Sequence, residues 1–150
     1  DTMSVSWQMP DHNIAWEHTA GIETGPWGRN YGLAFIGNDA SIVIDRESFD
    51  FFPEMQNGQY KVAAMPRKAG HDSHEAHVKN WIDCLKSRKE PACPIETGRI
   101  AALYTHMGNI ALRTNSRVEW NEAGKNFGNN TAANKLLMPE YRSPWKLPAL

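Results

Sequence analysis

The amino-acid sequence predicts an α+β domain, in which a mainly antiparallel open sheet has helices packed on one of its faces. Three observations lead to this fold class. Apolar and polar residues alternate in the first third of the chain, helical periodicity appears only after residue 70, and no β-α-β alternation occurs in the 150 residues. This length suits one domain with a sizeable core, so residues 1–150 are assigned to a single domain.

The first strand is predicted for residues 2–9, where every second side chain is apolar. The apolar side chains that share one face are Met3, Val5, Trp7 and Met9. A turn at residues 10–13 is followed by renewed alternation as far as His18, which predicts an antiparallel hairpin. A glycine-rich loop occupies residues 21–28.

Further strands are predicted up to residue 70. Residues 31–45 should form a second hairpin with its turn at 37–39, and residues 48–52 should form a fifth strand. Residues 56–70 are predicted as an irregular connection with a short strand near 60–64. Together these segments predict an antiparallel sheet of about five strands.

The first helix is predicted by four apolar residues at the spacing i, i+3, i+4 and i+7. These residues are Val78, Trp81, Ile82 and Leu85. Asp72 and Glu75 fit a capping box at the start of this helix, and Pro91 lies beyond its end.

A second helix is predicted from about Thr97 to Arg113, with Gly108 placed to allow close packing. Its apolar stripe consists of Ile100, Leu103, Met107, Ile110 and Ala111. Residues 117–121 predict a last short strand. The tail from Ala123 onward is rich in proline, glycine and asparagine and should wrap the surface.

Charge and hydropathy exclude two classes of partner. Sixteen Lys and Arg against seventeen Asp and Glu leave a net charge of -1, which is no footprint for nucleic acid. No apolar run reaches the ~20 residues that span a bilayer and no signal peptide begins the chain, so we expect a soluble protein, cytoplasmic or periplasmic, without a membrane partner. Cys84 and Cys93 are interpreted as ordinary thiols.

Patterns that carry cofactor or catalytic chemistry are missing from the sequence. The glycines of residues 21–28 lack the G-x-G-x-x-G spacing and no helix follows them, so we predict no nucleotide cofactor on this chain alone. No G-x-S-x-G turn occurs. His71, His74 and His77 could suggest a metal, because His74 and His77 would point roughly the same way from a first helical turn. No third ligand is dictated, however, and histidines solvated at a helix start are the better interpretation. We assign no catalytic and no metal-binding residue.

Two places in the sequence are candidates for ligand contact. In the loop, Trp27 and Tyr31 offer aromatic faces beside the guanidinium of Arg29, which suits a sugar ring; a lid over the core is the alternative. His106 lies on a polar stripe of the second helix that lines a cleft, a subunit contact or simply solvent, since His, Asn and Arg bind hydroxyls and carboxylates. The other members of the stripe are Arg99, Ala102, Asn109 and Arg113.

Several linked segments resemble one known family. They are HVKNWIDCLKSRKEP at 77–91, IETG at 95–98, HMGNIALR at 106–113 and YRSPW at 141–145. In this order they resemble the C-terminal domain of the Gfo/Idh/MocA oxidoreductases, particularly the bacterial, sugar-related subgroup. The opening strand pair and the hairpin turn at 37–39 resemble the same domain, so the resemblance covers nearly all of the chain.

The resemblance implies a two-domain enzyme. An N-terminal Rossmann domain would hold NAD or NADP, and the present domain would bind a small carbohydrate and form a homo-oligomer through its sheet face. The family's E-K-P lysine and acid/base histidine would both lie upstream of Asp1, so no catalytic residue is carried over. The chain begins at Asp1 within a strand and without an initiator Met, so we expect a preceding domain, and we expect the isolated domain to fold but to be inactive.

The function implied is that of an NAD(P)-dependent oxidoreductase acting on a sugar or cyclitol. Two alternatives stay open. One is an NAD-dependent glycoside hydrolase, because some relatives break glycosidic bonds by transient oxidation. The other is a non-catalytic dimerisation module.

Overall fold

The computed structural model describes residues 1–70 and 73–147. Its strands precede its helices, which confirms the α+β class. The strands are β1 (Thr2–Gln8), β2 (Asn13–Thr19), β3 (Leu33–Ile36), β4 (Ala40–Ile44), β5 (Ser48–Pro53), β6 (Met55–Gln56), β7 (Gln59–Tyr60) and β8 (Lys68–Ala69). The helices are α1 (His74–Ser87), α2 (Ile95–Thr114) and α3 (Thr131–Asn134), with a single 3-10 turn at Pro26–Gly28. None of these described helices is long and apolar enough to cross a membrane.

The chain divides into two compact units. Unit 1 contains Asp1–Ser4 and Trp16–Ala92, and unit 2 contains Val5–Ala15 and the chain from Cys93 onward. The hairpin of β1 and β2 has its base in unit 1 and its tip in unit 2. The alternation predicted for β1 is confirmed, because its apolar side chains are partly buried and the polar ones between them are exposed.

Unit 1 contains a four-stranded antiparallel sheet in the order β3-β4-β5-β8. The described strands lie in three sheets, so the prediction of a single sheet of about five strands is wrong. The strand predicted near 60–64 is also wrong. Asn57 and Gly58 both have positive φ, which is the geometry of a tight two-residue hairpin turn. This turn lets β6 pair with β7, so the strand ends at Tyr60.

One face of the four-stranded sheet is apolar and open, and we call it the apolar sheet face. Strand register places six side chains on it: Leu33, Phe35, Ile42, Ile44, Phe49 and Phe51. Leu33 and Phe35 are 64% and 60% exposed. The opposite face carries Val43, which is buried, together with Asp50 and Phe52. Ile42, Phe49 and Phe51 are partly buried, so packing leaves the β3 side of the apolar sheet face uncovered and covers the rest only in part.

Helix α1 follows the predicted periodicity but does not bury its apolar stripe. Trp81 is 55% exposed, and none of the residues in α1 is buried. The helix begins after Ser73 and ends at Arg88, whose left-handed backbone directs its N–H to the carbonyl of Cys84. The predicted capping box includes Asp72, which lies outside the described residues, as does His71.

Unit 2 is organised around α2. Gly108 is buried against the β1 segment, where an added Cβ would lie 3.3 Å from both methyl groups of Val5 and 3.4 Å from the Trp7 ring. Trp7 also meets Tyr104 edge-on, with ring centroids 6.3 Å apart. The close packing predicted for Gly108 is confirmed, and it joins α2 to the Val5–Gln8 part of β1.

The core of unit 2 includes part of the tail. Ile110 of α2 packs with Phe127 and Ala133, which are 3% and 0% exposed. The strand predicted at 117–121 is wrong, because this stretch makes only the isolated bridge between Asn121 and Asn126 among the described residues. Side-chain hydrogen bonds of Asn121 and Asn126, rather than a strand ladder, hold the turn between these two residues.

Candidate functional site

The candidate site begins with a five-residue loop in unit 1, Gly25–Arg29, which we call the Trp27 loop. The Gly25 N–H donates to the Arg29 carbonyl at 3.0 Å, and the Arg29 N–H donates to the Pro26 carbonyl at 3.2 Å. A Cβ at Gly25 would lie 2.5 Å from the Arg29 oxygen, so only glycine fits there. Trp27 has φ 63° and ψ 17°, a left-handed backbone that is unfavourable for a residue with a Cβ.

The Arg29 side chain is enclosed by acidic groups. Its Nη1 donates to Asp45 Oδ2 and its Nη2 donates to Asp50 Oδ2, and its Nη1 also lies 3.5 Å from the Ser48 carbonyl oxygen. Only 8% of the side chain is exposed. The guanidinium that the sequence suggested as a ligand contact is therefore engaged within its own unit.

Asp45 accepts hydrogen bonds from three directions. Its Oδ1 receives the backbone N–H groups of Glu47 and Ser48 at 2.7 and 2.8 Å, while its Oδ2 receives Arg29. Burial alone would raise the pKa of Asp45, but these hydrogen bonds and the Arg29 charge bring the pKa below its usual value. The hydrogen bond to Asp50 in turn raises the pKa of Arg29. Both groups are therefore charged at neutral pH.

A second arginine lies at the edge of this arrangement. Arg67 Nη2 donates to Ser48 Oγ at 2.7 Å, and its Nε lies 3.9 Å from Asp50 Oδ1. The Arg67 side chain is 62% exposed, whereas Ser48 is buried. We refer to Arg29, Asp45, Ser48, Asp50 and Arg67 as the Arg29 cluster.

The two aromatic residues predicted for ligand contact are accessible. Trp27 is 51% exposed, and its ring lies 5.1 Å from the Phe52 ring at a tilt of 36°. Tyr31 is 50% exposed, with the Arg46 guanidinium carbon 6.0 Å from its ring centre. Phe52 therefore supports one side of the Trp27 indole, and about half of the Trp27 surface stays open.

His106 lies on α2, in unit 2, and is exposed. Its neighbour on the polar stripe, Arg99, is engaged: it pairs with Glu96 at 2.6 Å and with Glu122 at 2.9 Å. The stripe is therefore partly an ion-pair surface, with His106 and Asn109 left exposed on it.

Sequence reasoning missed a second charged cluster, centred on Glu122 in unit 2. Its carboxylate accepts hydrogen bonds from Lys125, from Trp120 Nε1 at 2.6 Å and from Arg99. The hydrogen bonds from Lys125 and Trp120 are the main reason that the pKa of Glu122 falls to about 2. The turn that contains Glu122 is thus tied to α2.

One sequence signal could have revealed the Arg29 cluster. Asp50 stands between Phe49 and Phe51 in an apolar strand, and a carboxylate there faces the side of the sheet that carries the buried Val43. A charge in such a place requires a cation or several donors. The sequence does not say which cation, because Arg29 is 21 residues away.

Candidate metal ligands and cysteines are both present in residues 1–70 and 73–147. No group of three or more His, Cys, Asp or Glu residues that could hold a metal ion occurs there. Cys84 and Cys93 are free thiols, and Cys84 Sγ lies 3.6 Å from the Glu90 carbonyl oxygen.

The geometry defines a class of protein: a mixed α and β domain that presents aromatic and apolar surfaces and holds its buried charges in ion pairs. A comparison with known families gives the particular family. Residues 34–147 match the Gfo/Idh/MocA oxidoreductase family, C-terminal alpha/beta domain, and the chain belongs to this family. No curated protein and no solved structure matches the chain.

Proposed function

We propose that this chain is the substrate-binding and subunit-association domain of an NAD(P)-dependent oxidoreductase that acts on a sugar or cyclitol. A Rossmann domain in the whole protein supplies the cofactor, which accepts or donates hydride at the reacting carbon of the substrate. Membership in the oxidoreductase family as its C-terminal domain supports the reaction class. The present chain supplies binding surface rather than acid/base groups.

The observation that carries the association half of this proposal is the open apolar sheet face. Six large apolar side chains share this face of unit 1, and Leu33 is 64% exposed. Monomeric proteins rarely expose contiguous apolar patches of large area, because burying them is favourable. In a symmetric dimer, a second copy that presents the same face would bury the apolar side chains of both sheets.

The substrate half of the proposal uses the opposite side of the same sheet, where the Trp27 loop lies against Phe52. Carbohydrate-sized sites combine apolar and aromatic walls with a few polar groups. The exposed part of Trp27 can stack on the apolar face of a sugar ring, and the Tyr31 hydroxyl can bond to ring hydroxyls. We retain His106 of unit 2 as a further proposed contact, considered on its own.

The decisive experiment uses the full-length protein with NAD⁺ or NADP⁺, a panel of free sugars and cyclitols, and matched aryl glycosides. Formation of NADH or NADPH in step with sugar oxidation is the expected result. Release of the aryl alcohol without net reduced cofactor would instead establish a glycoside hydrolase. Neither activity, combined with a stable dimer, would leave a dimerisation module.

The residue assignment is tested separately by Trp27→Ala and Tyr31→Phe. Both should raise KM for the active substrate, because each removes a contact made to the bound sugar. Leu112→Ala is a suitable control, since Leu112 is 64% exposed and lies in unit 2. Unchanged KM in both test variants would remove Trp27 and Tyr31 from the substrate site.

A further inference from the structure

We propose that Arg29 is a positioning residue, which holds the Trp27 loop so that the indole keeps its half-exposed orientation, and that Arg29 does not itself contact ligand. The part of this inference that concerns binding rests on the proposed function of Trp27. The structural part stands on the geometry of unit 1 alone.

Very little of the Arg29 side chain is open to a ligand. Both terminal nitrogens donate to carboxylates, and the side chain is only 8% exposed. An anionic ligand would meet two carboxylates around this one enclosed guanidinium, and a sugar hydroxyl would have to displace a charge-assisted hydrogen bond. The cluster is therefore already satisfied by its own chain.

The backbone of Arg29 closes the Trp27 loop. The Arg29 carbonyl accepts from Gly25, and the Arg29 N–H donates to Pro26, so Trp27 is held between two points that are both tied to residue 29. The Arg29 side chain then attaches this closure to Asp45 and to Asp50 of β5. A displacement of Arg29 would open both backbone hydrogen bonds together.

The conformation of Trp27 explains why such an attachment is needed. A left-handed backbone at a non-glycine residue is costly and persists only where its surroundings over-determine it. The contact with Phe52, at 5.1 Å between ring centres, supports one face of the indole but does not fix the backbone. Arg29 supplies the missing constraint, and Trp27 is thereby presented with its other surface open.

Amide hydrogen exchange and the indole N–H signal of Trp27 test the structural part directly. In Arg29→Met, protection of the Gly25 amide and of the residue 29 amide should fall by about tenfold or more, a factor at the lower end of the range expected for a strained non-glycine conformation. The indole signal should shift or broaden. Arg29→Lys should give a smaller but measurable loss, because the ammonium keeps the positive charge but is not a planar fork that fits two carboxylates.

Arg67→Met is the matched control. It removes a cation that lies beside the same carboxylate, but from a side chain that is 62% exposed and whose described contacts are Ser48 and Asp50 rather than the Trp27 loop. Loop protection should be unchanged in this variant. Equal loss in Arg29→Met and Arg67→Met, or no loss in either, overturns the proposal.

The Trp27→Gly variant provides a second test in case Arg29→Met prevents folding. Glycine adopts a positive φ without a steric penalty, so Trp27→Gly removes the strain that Arg29 opposes. Arg29→Lys should therefore reduce protection of the Gly25 amide much less in the Trp27→Gly background than in the wild-type chain. The same loss in both backgrounds contradicts a positioning role.

Binding experiments on the full-length protein separate this inference from the proposed function. With the active sugar, or with aryl glycosides as probes, Arg29→Lys should raise KM with little change in kcat, and the same substitution should have no effect on KM in a Trp27→Ala background. If Trp27→Ala leaves KM unchanged while exchange confirms the loop effect, the proposed function of Trp27 fails and the positioning role stands. If Trp27→Ala raises KM but Arg29→Met leaves loop exchange unchanged, the positioning role fails.

Discussion

Substitution of Phe35 by aspartate is the sharpest test of the proposed association through the apolar sheet face. Phe35 pairs with Ile42 in the register of β3 and β4, and both side chains lie on this face. An aromatic side chain buries about 150–250 Å², so the 60% of Phe35 that is exposed corresponds to roughly 120 Å². At about 25 cal/mol per Å², covering it contributes about 3 kcal/mol as an upper estimate.

A symmetric dimer contains this contact twice, so the loss approaches about 6 kcal/mol, or roughly four orders of magnitude in the dissociation constant. A carboxylate left without a partner at the interface adds to the loss. Phe35→Asp should therefore convert a dimer into a monomer at micromolar concentration. Sedimentation velocity and light scattering over a concentration series measure this directly.

The neighbouring residue provides the control. Ile36 is 76% exposed, but register with Ser41 places it on the opposite face of the same strand. Ile36→Asp should leave the dimer intact, because it changes charge and hydropathy equally but not on the apolar sheet face. Wild-type protein that stays monomeric at every concentration, or equal effects of the two variants, refutes the assignment.

Three further predictions concern unit 2. Phe127→Ala should lower the free energy of unfolding by about 3–5 kcal/mol in urea titrations, because a 3% exposed aromatic ring leaves a cavity; a loss below about 1 kcal/mol would show that the ring is not core. Gly98→Ala should stabilise α2 by about 0.5–1 kcal/mol, because no atom lies within contact distance of the added Cβ. Gly108→Leu should destabilise the protein by about 1–3 kcal/mol, because the added side chain would meet Val5 and Trp7. Thermal unfolding that ranks the two variants in the other order contradicts this packing. The pKa of Glu122 is lowered from 4.5 to about 2, so the stability that its carboxylate contributes is present above pH 4.5 and is lost as pH falls toward 2. The Tm of Glu122→Gln should therefore decrease less over this interval than the Tm of the wild-type protein. Parallel plots of Tm against pH for the two proteins would count against the Glu122 cluster.

Helices α1 and α2 could be predicted from sequence because their signals are local. The apolar spacing of Val78 and Trp81 and the proline beyond the end place α1 without reference to any other segment. The predicted start of α2 at Thr97 falls two residues after the observed start at Ile95. Local steric and hydrogen-bonding preferences fix such boundaries.

The core of the tail could not be predicted from sequence, because its cause is distant packing. Phe127 lies in a stretch rich in asparagine and glycine that has no periodicity. Its N–H is held by the side chain of Asn134 at 2.8 Å, and its ring meets Trp120 at 5.2 Å. Neither contact leaves a repeating pattern along the chain, so the segment resembled a surface wrap.

The same limit applies to the candidate site. Trp27, Arg29 and Tyr31 could be chosen from sequence by residue type, and the structure leaves the two aromatic rings accessible. A guanidinium that binds ligand and one that is enclosed by carboxylates have the same sequence signature, however. The carboxylates of Asp45 and Asp50 that engage the Arg29 guanidinium lie 16 and 21 residues away.

The two units differ in how much apolar surface they bury. Unit 2 has its own cluster of buried residues around Ile110 and Phe127. In the described part of unit 1, Val43 is the one apolar residue that is buried, while the α1 stripe stays exposed and the apolar sheet face is at most partly covered. Burial of apolar surface is the dominant favourable contribution to folding, so the proposed association would stabilise unit 1 more than unit 2. The Trp27 loop lies against Phe52 on the other face of the same sheet, so the proposed association and the proposed ligand binding would not compete for one surface.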